Sequence, residues 1–321
     1  MNLGDEELEK ILYLVIPCYN EEEVLPITQK ALKEKMDNLI KNKKISKDSK
    51  VMFVNDGSKD KTWELIEEYH KEDPLFVGVK LSRNKGHQNA LLAGLMTAKK
   101  YADITISMDA DLQDDINVID KMIAENNAGS EIVYGVRSSR KKDSWFKRFT
   151  AESFYKLMHA MGVEVVFNHA DCRLMSKRAL DELEHFEEAN LFLRGLIPLL
   201  GFKTSIATYE RNERAAGESK YPLKKMLSFA WDGITSFSVK PLKMITTLGF
   251  IMLFISVVMI IYTIIVKILG NTVDGWAFIM LSIWFIGGVQ LVSVGLIGEY
   301  IGKIYNETKH RPRYIIEKEL K

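Results

Sequence analysis

The first 135 residues alternate between short apolar, β-rich runs and longer segments with helical spacing. The apolar runs predict strands at residues 12–17, 51–55, 76–81, 104–109 and 131–135. The segments between them predict helices at about residues 21–40, 59–71, 86–100 and 116–127. Strands that alternate with helices of this length are typical of βαβ units, so we expect an α/β domain with a mostly parallel sheet.

The middle of the chain has a less regular pattern. Residues 145–161 have the apolar spacing of a helix, HADCRLMS (169–176) resembles a loop that enters a helix, and GFKTSIATYE (201–210) predicts a late strand. Residues 223–241 then place apolar side chains at helical intervals. Directly before a membrane span, this pattern predicts an amphipathic interfacial helix, although a helix that packs against a domain has the same spacing.

Two long uncharged stretches follow, at about residues 244–266 and 275–298. Because about 20 helical residues cross a hydrocarbon core of about 30 Å, both stretches are long enough to span a membrane. The short connection between them predicts a transmembrane hairpin. Lysines and arginines flank both ends of the hairpin, which places the preceding domain and both termini in the cytoplasm. Gly298 and Gly302 form a GxxxG pattern, a weak indication of helix association that leaves a homo-oligomer open.

These patterns divide the chain into four parts. They are a globular domain at 1–222, the interfacial helix at 223–241, the hairpin at 242–302 and a cytoplasmic tail at 303–321. Over the whole chain, 44 basic and 43 acidic residues leave a net charge of +1, which excludes the strongly basic surface of a dedicated nucleic-acid-binding protein. The N-terminus is acidic and has no apolar segment, so we expect no signal peptide.

Acidic side chains follow the end of the fourth predicted strand, at the sheet edge where α/β proteins bind ligands. Asp109 and Asp111 are two residues apart, and carboxylates at this spacing can bind Mg²⁺ or Mn²⁺ together with substrate phosphates. A solvated acidic loop that caps the next helix accounts for the same residues equally well. Gln113 extends the cluster, and Asp114 and Asp115 are expected to be cap and first-turn residues.

The loops after the first three strands carry further polar groups. Asp56 lies in a turn between a strand and a helix, where a carboxylate can accept hydrogen bonds from a base or a ribose. Pro17, Tyr19 and Glu21 have the same placement after the first strand. His87 lies on the third loop and could face phosphate, although a single histidine is more often structural. Neither GxGxxG nor a P-loop occurs, which argues against a dinucleotide site of the Rossmann type.

Arg211, Ser219 and Lys220 lie just before the predicted interfacial helix. A flexible basic loop at a membrane surface suits a diphosphate or an anionic lipid head group. A basic run that only follows the positive-inside rule is the alternative.

Six segments occur in the order found in family 2 glycosyltransferases of the polyprenyl-phosphate type. They are IPCYNEEEVL, VNDGSKDKT, LSRNKGHQNALLAGL, MDADLQDD, HADCRLMSKRAL and ERAAGESKY. Over about residues 11–222 the sequence resembles bacterial undecaprenyl-phosphate glycosyltransferases and dolichol-phosphate mannose synthases, and its hairpin is similar to that of the membrane-anchored bacterial branch. Family members of the soluble-domain type often have DDGS where this chain has Asn55-Asp56-Gly57-Ser58, so asparagine replaces the first acidic residue of that motif here.

The resemblance implies a GT-A fold and inverting transfer of a sugar to a polyprenyl phosphate. The donor would be a nucleotide sugar, with a UDP-sugar as the expected form, and the reaction would serve cell-envelope glycosylation at the cytoplasmic face of the cell membrane. The resemblance also assigns residues: Pro17, Tyr19, Glu21 and Asp56 to the nucleoside, Asp109 and Asp111 to Mg²⁺ or Mn²⁺ with Gln113 beside them, Asp171 to the reaction centre, and Arg211, Ser219 and Lys220 to phosphates.

Physical chemistry qualifies the role of Asp171. The second pKa of a phosphate monoester is about 6, so a lipid phosphate is mostly dianionic near pH 7 and needs little help from a general base. We therefore expect Asp171 to orient the acceptor and the sugar, with Arg173 as the intermediary. The alternative is that Asp171 is only the N-cap of the helix that follows.

Two rival functions fit part of the pattern. A membrane-tethered phosphohydrolase would use Asp109 and Asp111 but leaves the nucleoside-type loops unexplained. A non-catalytic nucleotide-binding scaffold would tolerate the loss of Asp171.

Overall fold

A computed structural model describes residues 9–137, 161, 169–188, 191–210, 234–235, 238–269 and 275–321. Of these, the residues up to 137, those from 169 to 210, and residues 311–321 belong to one compact unit. Residue 161 and the described residues from 234 to 310 belong to a second unit. The chain therefore leaves the first unit, passes through the second, and returns.

An eight-stranded mixed sheet forms the centre of the first unit. Its strands are β1 (Leu12–Cys18), β2 (Lys50–Asn55), β3 (Phe76–Leu81), β4 (Ile104–Ser107), β5 (Ile132–Arg137), β6 (His169–Ser176), β7 (Thr204–Tyr209) and β8 (Ile316–Leu320). They are ordered β7-β5-β6-β4-β1-β2-β3-β8. Neighbouring strands are parallel, except that β6 is antiparallel to β4 and β5, and β8 is antiparallel to β3.

Helices connect the strands of this unit. They are α1 (Leu25–Lys41), α2 (Thr62–Glu72), α3 (His87–Ala98), α4 (Val118–Asn127), α5 (Lys177–Glu184) and α6 (Leu193–Leu199). Every residue of β1 is buried, as expected for a central parallel strand that is covered on both faces. The structure confirms the first four predicted strand–helix pairs and the late strand β7. Burial sets the spacing of apolar residues in these elements, so the sequence pattern predicts them.

The segment HADCRLMS forms strand β6, so the prediction of a loop is wrong. Cys172 and Leu174 point into the hydrophobic core, while Asp171 and Arg173 alternate with them on the other face. This alternation of polar and apolar residues is the pattern of a half-buried strand, and it is the signal by which the sequence could have indicated β6. Helix α5 follows as predicted, and its N-cap is Ser176, whose hydroxyl accepts from the Ala179 amide at 3.1 Å.

The C-terminal tail adds a strand that the sequence had not indicated. Strand β8 pairs with the edge strand β3, and the amide of Ser82 donates to the carbonyl of Ile315 at 3.0 Å. Arg313 also donates to the Phe186 carbonyl at 2.7 Å. The end of the chain therefore protects a sheet edge that would otherwise present unpaired backbone groups.

The second unit contains two long apolar helices, α7 (Lys240–Ile268) and α8 (Trp276–Glu307). With 29 and 32 residues, both exceed the length of about 20 residues that a membrane span requires. Large apolar side chains such as Phe250, Phe254 and Leu291 are exposed along them, as expected of surfaces that face lipid. These are candidate membrane helices by length and composition. The predicted helix at 145–161 and the interfacial helix at 223–241 lie almost wholly outside the described residues, and the predicted domain boundaries remain predictions.

Candidate active site

The loops that follow β1 and β2 are interlocked. The amide of Asn20 donates to the Ser58 hydroxyl at 3.0 Å, and the Asn20 side chain accepts from the amide of Lys59 at 2.9 Å. Asn20 has a φ of 54°, a left-handed conformation that asparagine tolerates well. These contacts bring the predicted nucleoside residues Tyr19 and Asp56 to one edge of the sheet.

The other two predicted nucleoside residues differ in accessibility. Pro17 is buried within β1, opposite Val54 of β2. Glu21 is half-buried, and its amide donates to the Thr62 hydroxyl at 2.9 Å. The four residues are thus on neighbouring strand ends, and their contact with a nucleoside remains a prediction.

Asp56 holds the loop that follows β3. Its two carboxylate oxygens accept from the amides of Lys85 and Gly86, at 2.7 and 2.9 Å. Burial raises the pKa of Asp56, and these two hydrogen bonds oppose the rise. Gly57 permits this close approach, because its φ is 64° and a Cβ there would lie 2.5 Å from the Asn84 nitrogen. Asp56 therefore fixes the backbone immediately before His87.

The loop after β4 carries the predicted metal ligands Asp109 and Asp111. It is anchored to α1, because the Thr28 hydroxyl donates to the Ala110 carbonyl at 2.6 Å. The Asp111 carboxylate accepts from the amide of Gln113 at 3.2 Å. This contact turns the loop and keeps the Gln113 backbone beside Asp111, and the role of Gln113 in substrate binding remains a prediction.

The electrostatics of this loop suit a cation. The pKa of Asp109 is raised to about 6, mainly by burial and further by the carboxylates of Asp171, Asp114 and Asp111, while His87 opposes the rise. Because 38% of the side chain is exposed, solvent limits this rise. Two carboxylates two residues apart on one loop, Asp109 and Asp111, are a donor set for Mg²⁺ or Mn²⁺, so the residues present fit such an ion. Ligand atoms of His87, Asp109 and Asp171 also lie within 4.8 Å of one another.

Asp114 is part of a buried network, which corrects the prediction that it caps a helix. Its carboxylate accepts from Arg137 at 3.1 Å and from the Tyr209 hydroxyl, and the side chain is 3% exposed. The residue at the N-cap of α4 is Asn117. Asp114 thereby ties the loop after β4 to the ends of β5 and β7, because Arg137 and Tyr209 are the last residues of those strands.

Asp171 forms a bidentate ion pair with Arg194. The Nε and Nη2 atoms of Arg194 donate to the two carboxylate oxygens, both at 2.9 Å. Burial acts to raise the pKa of Asp171, but the charge and hydrogen bonds of Arg194, with help from His87 and Arg173, hold it well below its usual value. Asp171 is not the N-cap of the next helix, a place that Ser176 takes.

Arg173, the predicted intermediary of Asp171, lies on the same face of β6, and its charge helps to lower the pKa of Asp171. Its guanidinium is 5.4 Å from the centre of the Tyr134 ring, and the residue is 2% exposed. Arg194 had not been singled out in the sequence. The available signal was a single arginine in the otherwise apolar segment LFLRGLIPLLG (191–201), which contains α6.

His87, expected to be structural, lies in the site. As the first residue of α3, it places Nε2 3.8 Å from Asp109 and 3.7 Å from Asp171. The next residue, Gln88, accepts from the amide of Leu193 at 3.1 Å and so connects α3 to the helix that carries Arg194. Four chain segments thus converge here. Arg211, Ser219 and Lys220 lie outside the described residues, and their phosphate contacts remain predictions.

Comparison with known proteins gives two sequence signatures. The signature described as glycosyl transferase family 2 matches residues 13–184, and the one described as the GtrB C-terminal hairpin matches residues 240–304. Together they cover strands β1 to β6, the loops that carry His87, Asp109 and Asp171, and most of the two apolar helices.

Relatives match over nearly the full length. The glycosyltransferase YkoT of Bacillus subtilis (strain 168), whose function is uncharacterized, is 54% identical over 98% of this chain and 94% of its own length. The bactoprenol glucosyl transferase of Shigella phage SfV is 41% identical over 95% of this chain and 98% of its own length. A prophage bactoprenol glucosyl transferase homolog of Escherichia coli (strain K12) is 40% identical over 95% of this chain and 98% of its own length. The chain therefore belongs to glycosyl transferase family 2, as a glycosyltransferase with a GT-A-like α/β domain and a C-terminal GtrB-type hairpin.

Proposed function

We propose that this enzyme transfers a glucosyl group from a nucleotide sugar, UDP-glucose in the first instance, to the phosphate of bactoprenol, a polyprenyl phosphate. The observation that carries the proposal is the full-length similarity to proteins named bactoprenol glucosyl transferase, because it includes the hairpin as well as the catalytic domain. A lipid-phosphate acceptor also explains why one chain combines a nucleotide-sugar site with two candidate membrane helices.

In the proposed reaction, an oxygen of the acceptor phosphate attacks the anomeric carbon of the donor sugar. The bond from that carbon to the diphosphate breaks, and the nucleoside diphosphate leaves with the electron pair and with inversion at carbon. No proton has to be removed, since the acceptor phosphate is mostly dianionic near pH 7. The reaction therefore requires orientation and charge stabilisation more than base catalysis.

The residues of the site divide these tasks. Asp171, held by Arg194, has a pKa too low for an effective base near pH 7 and is suited to orient the sugar and the acceptor. Asp109 and Asp111 would hold Mg²⁺ or Mn²⁺, which, when bound, offsets the charge that develops on the departing diphosphate. The loops of Tyr19 and Asp56 would hold the nucleoside, and Arg211, Ser219 and Lys220 would hold phosphates.

The same proposal concerns location. We place the catalytic domain and both termini in the cytoplasm, with α7 and α8 across the cell membrane. Support comes from the lysines and arginines on both flanks of the hairpin and from strand β8, which returns the end of the chain to the first unit. A bactoprenol sugar made at this face would supply cell-envelope glycosylation.

The test is an incubation of the full-length protein, in detergent micelles, with radiolabelled UDP-glucose and undecaprenyl phosphate. Label that moves into the lipid-soluble fraction supports the proposal. Release of free labelled sugar would instead indicate a phosphohydrolase, and no reaction with any donor would indicate a scaffold. A donor panel with UDP-N-acetylglucosamine and GDP-mannose then tests the choice of glucose, and Asp171→Asn is the matched negative control.

A further inference from the structure

The imidazole of His87 faces a gap between two carboxylates. Its Nε2 atom lies 3.8 Å from Oδ1 of Asp109 and 3.7 Å from Oδ2 of Asp171. Hydrogen bonds between nitrogen and oxygen span about 2.7–3.2 Å, so neither contact is a hydrogen bond. The side chains of His87 and Asp109 are 39% and 38% exposed, and the gap between the three groups is therefore accessible.

Contacts outside the gap fix the groups that line it. Asp56 holds the backbone before His87, and Gln88, the residue after His87, accepts a hydrogen bond from the Leu193 amide of α6. Arg194 fixes the plane of the Asp171 carboxylate through two hydrogen bonds. A site that is formed before its ligand arrives avoids part of the entropy cost of binding.

Charge decides which ligand this gap accepts. Two carboxylates repel a phosphate oxygen. A divalent cation about 2.1 Å from Oδ2 of Asp171 would lie within about 5 Å of Nη2 of Arg194, which is 2.9 Å from the same oxygen, and the two cations would repel each other. A neutral hydroxyl group meets neither penalty, because it donates to a carboxylate and also accepts from an imidazole N–H.

We propose that the gap binds hydroxyl groups of the transferred sugar, and that His87 is a specificity-determining residue that distinguishes the nucleotide sugar from the bare nucleotide. Neighbouring hydroxyls donate to Asp109 and Asp171, and one of them accepts from His87. This inference rests on the proposed function, since it takes the donor to be a nucleotide sugar. The Asp109 and Asp111 carboxylates would still hold the cation that offsets the charge of the diphosphate.

The experiment compares the binding of UDP-glucose and UDP to the full-length protein in detergent micelles with Mg²⁺, by isothermal titration calorimetry. His87→Ala should weaken the binding of UDP-glucose about tenfold, which corresponds to the loss of one hydrogen bond to a well-oriented partner. The affinity for UDP should not change. His87→Gln keeps an N–H donor and should recover most of the loss. The control is His70→Ala, whose ring contacts the Phe76 carbonyl at 2.8 Å, and it should change neither affinity.

UDP-glucose analogues that each lack one hydroxyl identify the group that faces His87. Removal of that hydroxyl should weaken binding to the wild type about tenfold and should not weaken binding to His87→Ala further, because each change removes the same hydrogen bond. The inference would be overturned if, for every hydroxyl, the effect of removing it and the effect of His87→Ala on the binding free energy simply added.

Two other results would also overturn it. The first is equal weakening of UDP-glucose and UDP, or no weakening, in His87→Ala. The second is weaker binding of Mn²⁺ by that variant in the absence of nucleotide, as measured by electron paramagnetic resonance. That result would make the gap a metal site. If the wild type binds neither ligand, the proposed function itself fails and the inference falls with it.

Discussion

Arg194 donates two hydrogen bonds of 2.9 Å to the two oxygens of Asp171 and so joins helix α6 to strand β6. A bidentate pair fixes the orientation of the carboxylate as well as its charge. Because the guanidinium lowers the pKa of Asp171, this carboxylate is ionised at every pH at which the protein is expected to work. Such a group orients and stabilises its neighbours, but it is a weak proton acceptor.

The first prediction concerns Arg194→Met. The variant leaves the Asp171 carboxylate largely buried without its partner, so kcat should fall at least about tenfold while the affinity for UDP stays near that of the wild type. The pKa of Asp171 should also rise, because the charge that lowers it is gone. On the acid side, kcat should therefore decline at a higher pH than in the wild type, as a pH profile of kcat would measure.

Arg194→Lys is the matched control for this change. It keeps the positive charge but loses the fork of two donors, so its kcat should lie between those of the wild type and Arg194→Met. Wild-type kcat in Arg194→Met would contradict the positioning role.

The second prediction concerns Asp171→Asn. An amide keeps the shape of the side chain but loses the charge that pairs with Arg194, so much of kcat should be lost and the affinity for the nucleotide sugar kept. The remaining rate should change little above pH 7, because no proton has to leave the acceptor. A rate that rises tenfold per pH unit in that range would show hydroxide replacing a base, and the orienting role would be wrong.

Particular residues show how far the sequence predicts this molecule. Buried strands such as β1 can be predicted because their residues form a short, continuous apolar run between turn residues. Strand β6 has the alternation of a half-buried strand, but its charged residues Asp171 and Arg173 also suit a loop. Strand β8 is a short charged segment, IEKEL, and its partner β3 is far away in the sequence. The pair Asp109 and Asp111 could be predicted from its place after a strand. Arg194 could not, since only tertiary packing of α6 brings it to Asp171.

The third prediction concerns the cation. Asp111→Asn should remove nearly all transfer while the protein stays folded, because a carboxamide binds Mg²⁺ or Mn²⁺ much more weakly than a carboxylate. EDTA should inhibit the wild type, and either ion should restore it. The control is Asp115→Asn, whose side chain accepts hydrogen bonds from the amide and side chain of the exposed Asn117, and it should keep its activity. Full transfer in EDTA would exclude this pair as an essential metal site.

The fourth prediction concerns strand β8. Leu320 packs against the hydrophobic core beside Gly78, so Leu320→Asp should lower the free energy of unfolding by about 2–3 kcal/mol. Glu317→Gln removes only an exposed ion pair with Lys80 and should cost less than about 1 kcal/mol. Thermal unfolding followed by intrinsic fluorescence compares the two variants. Equal unfolding temperatures for both would show that β8 adds no stability to the sheet.

The last prediction concerns the membrane topology. Strand β8 belongs to the same sheet as β3, so the segments before and after the hairpin must be on the same side of any membrane that it crosses. The flanking lysines and arginines make that side the cytoplasm. In intact cells, a cysteine at Thr272, between the two helices, should react with a membrane-impermeant maleimide, and one at Asn306 should not. The native Cys18 and Cys172 are buried and should add little background.

Permeabilised cells provide the control, because the cysteine at Asn306 should then react. The same topology makes Asn306-Glu307-Thr308 a chance match to the N-glycosylation pattern, since the segment would stay in the cytoplasm. If the cysteine at Asn306 reacts in intact cells and the one at Thr272 does not, the catalytic domain would be outside the cell, because β8 carries the domain to the same side as the end of α8. Nucleotide sugars are cytoplasmic metabolites, so that result would remove the donor and overturn the proposed function together with the topology.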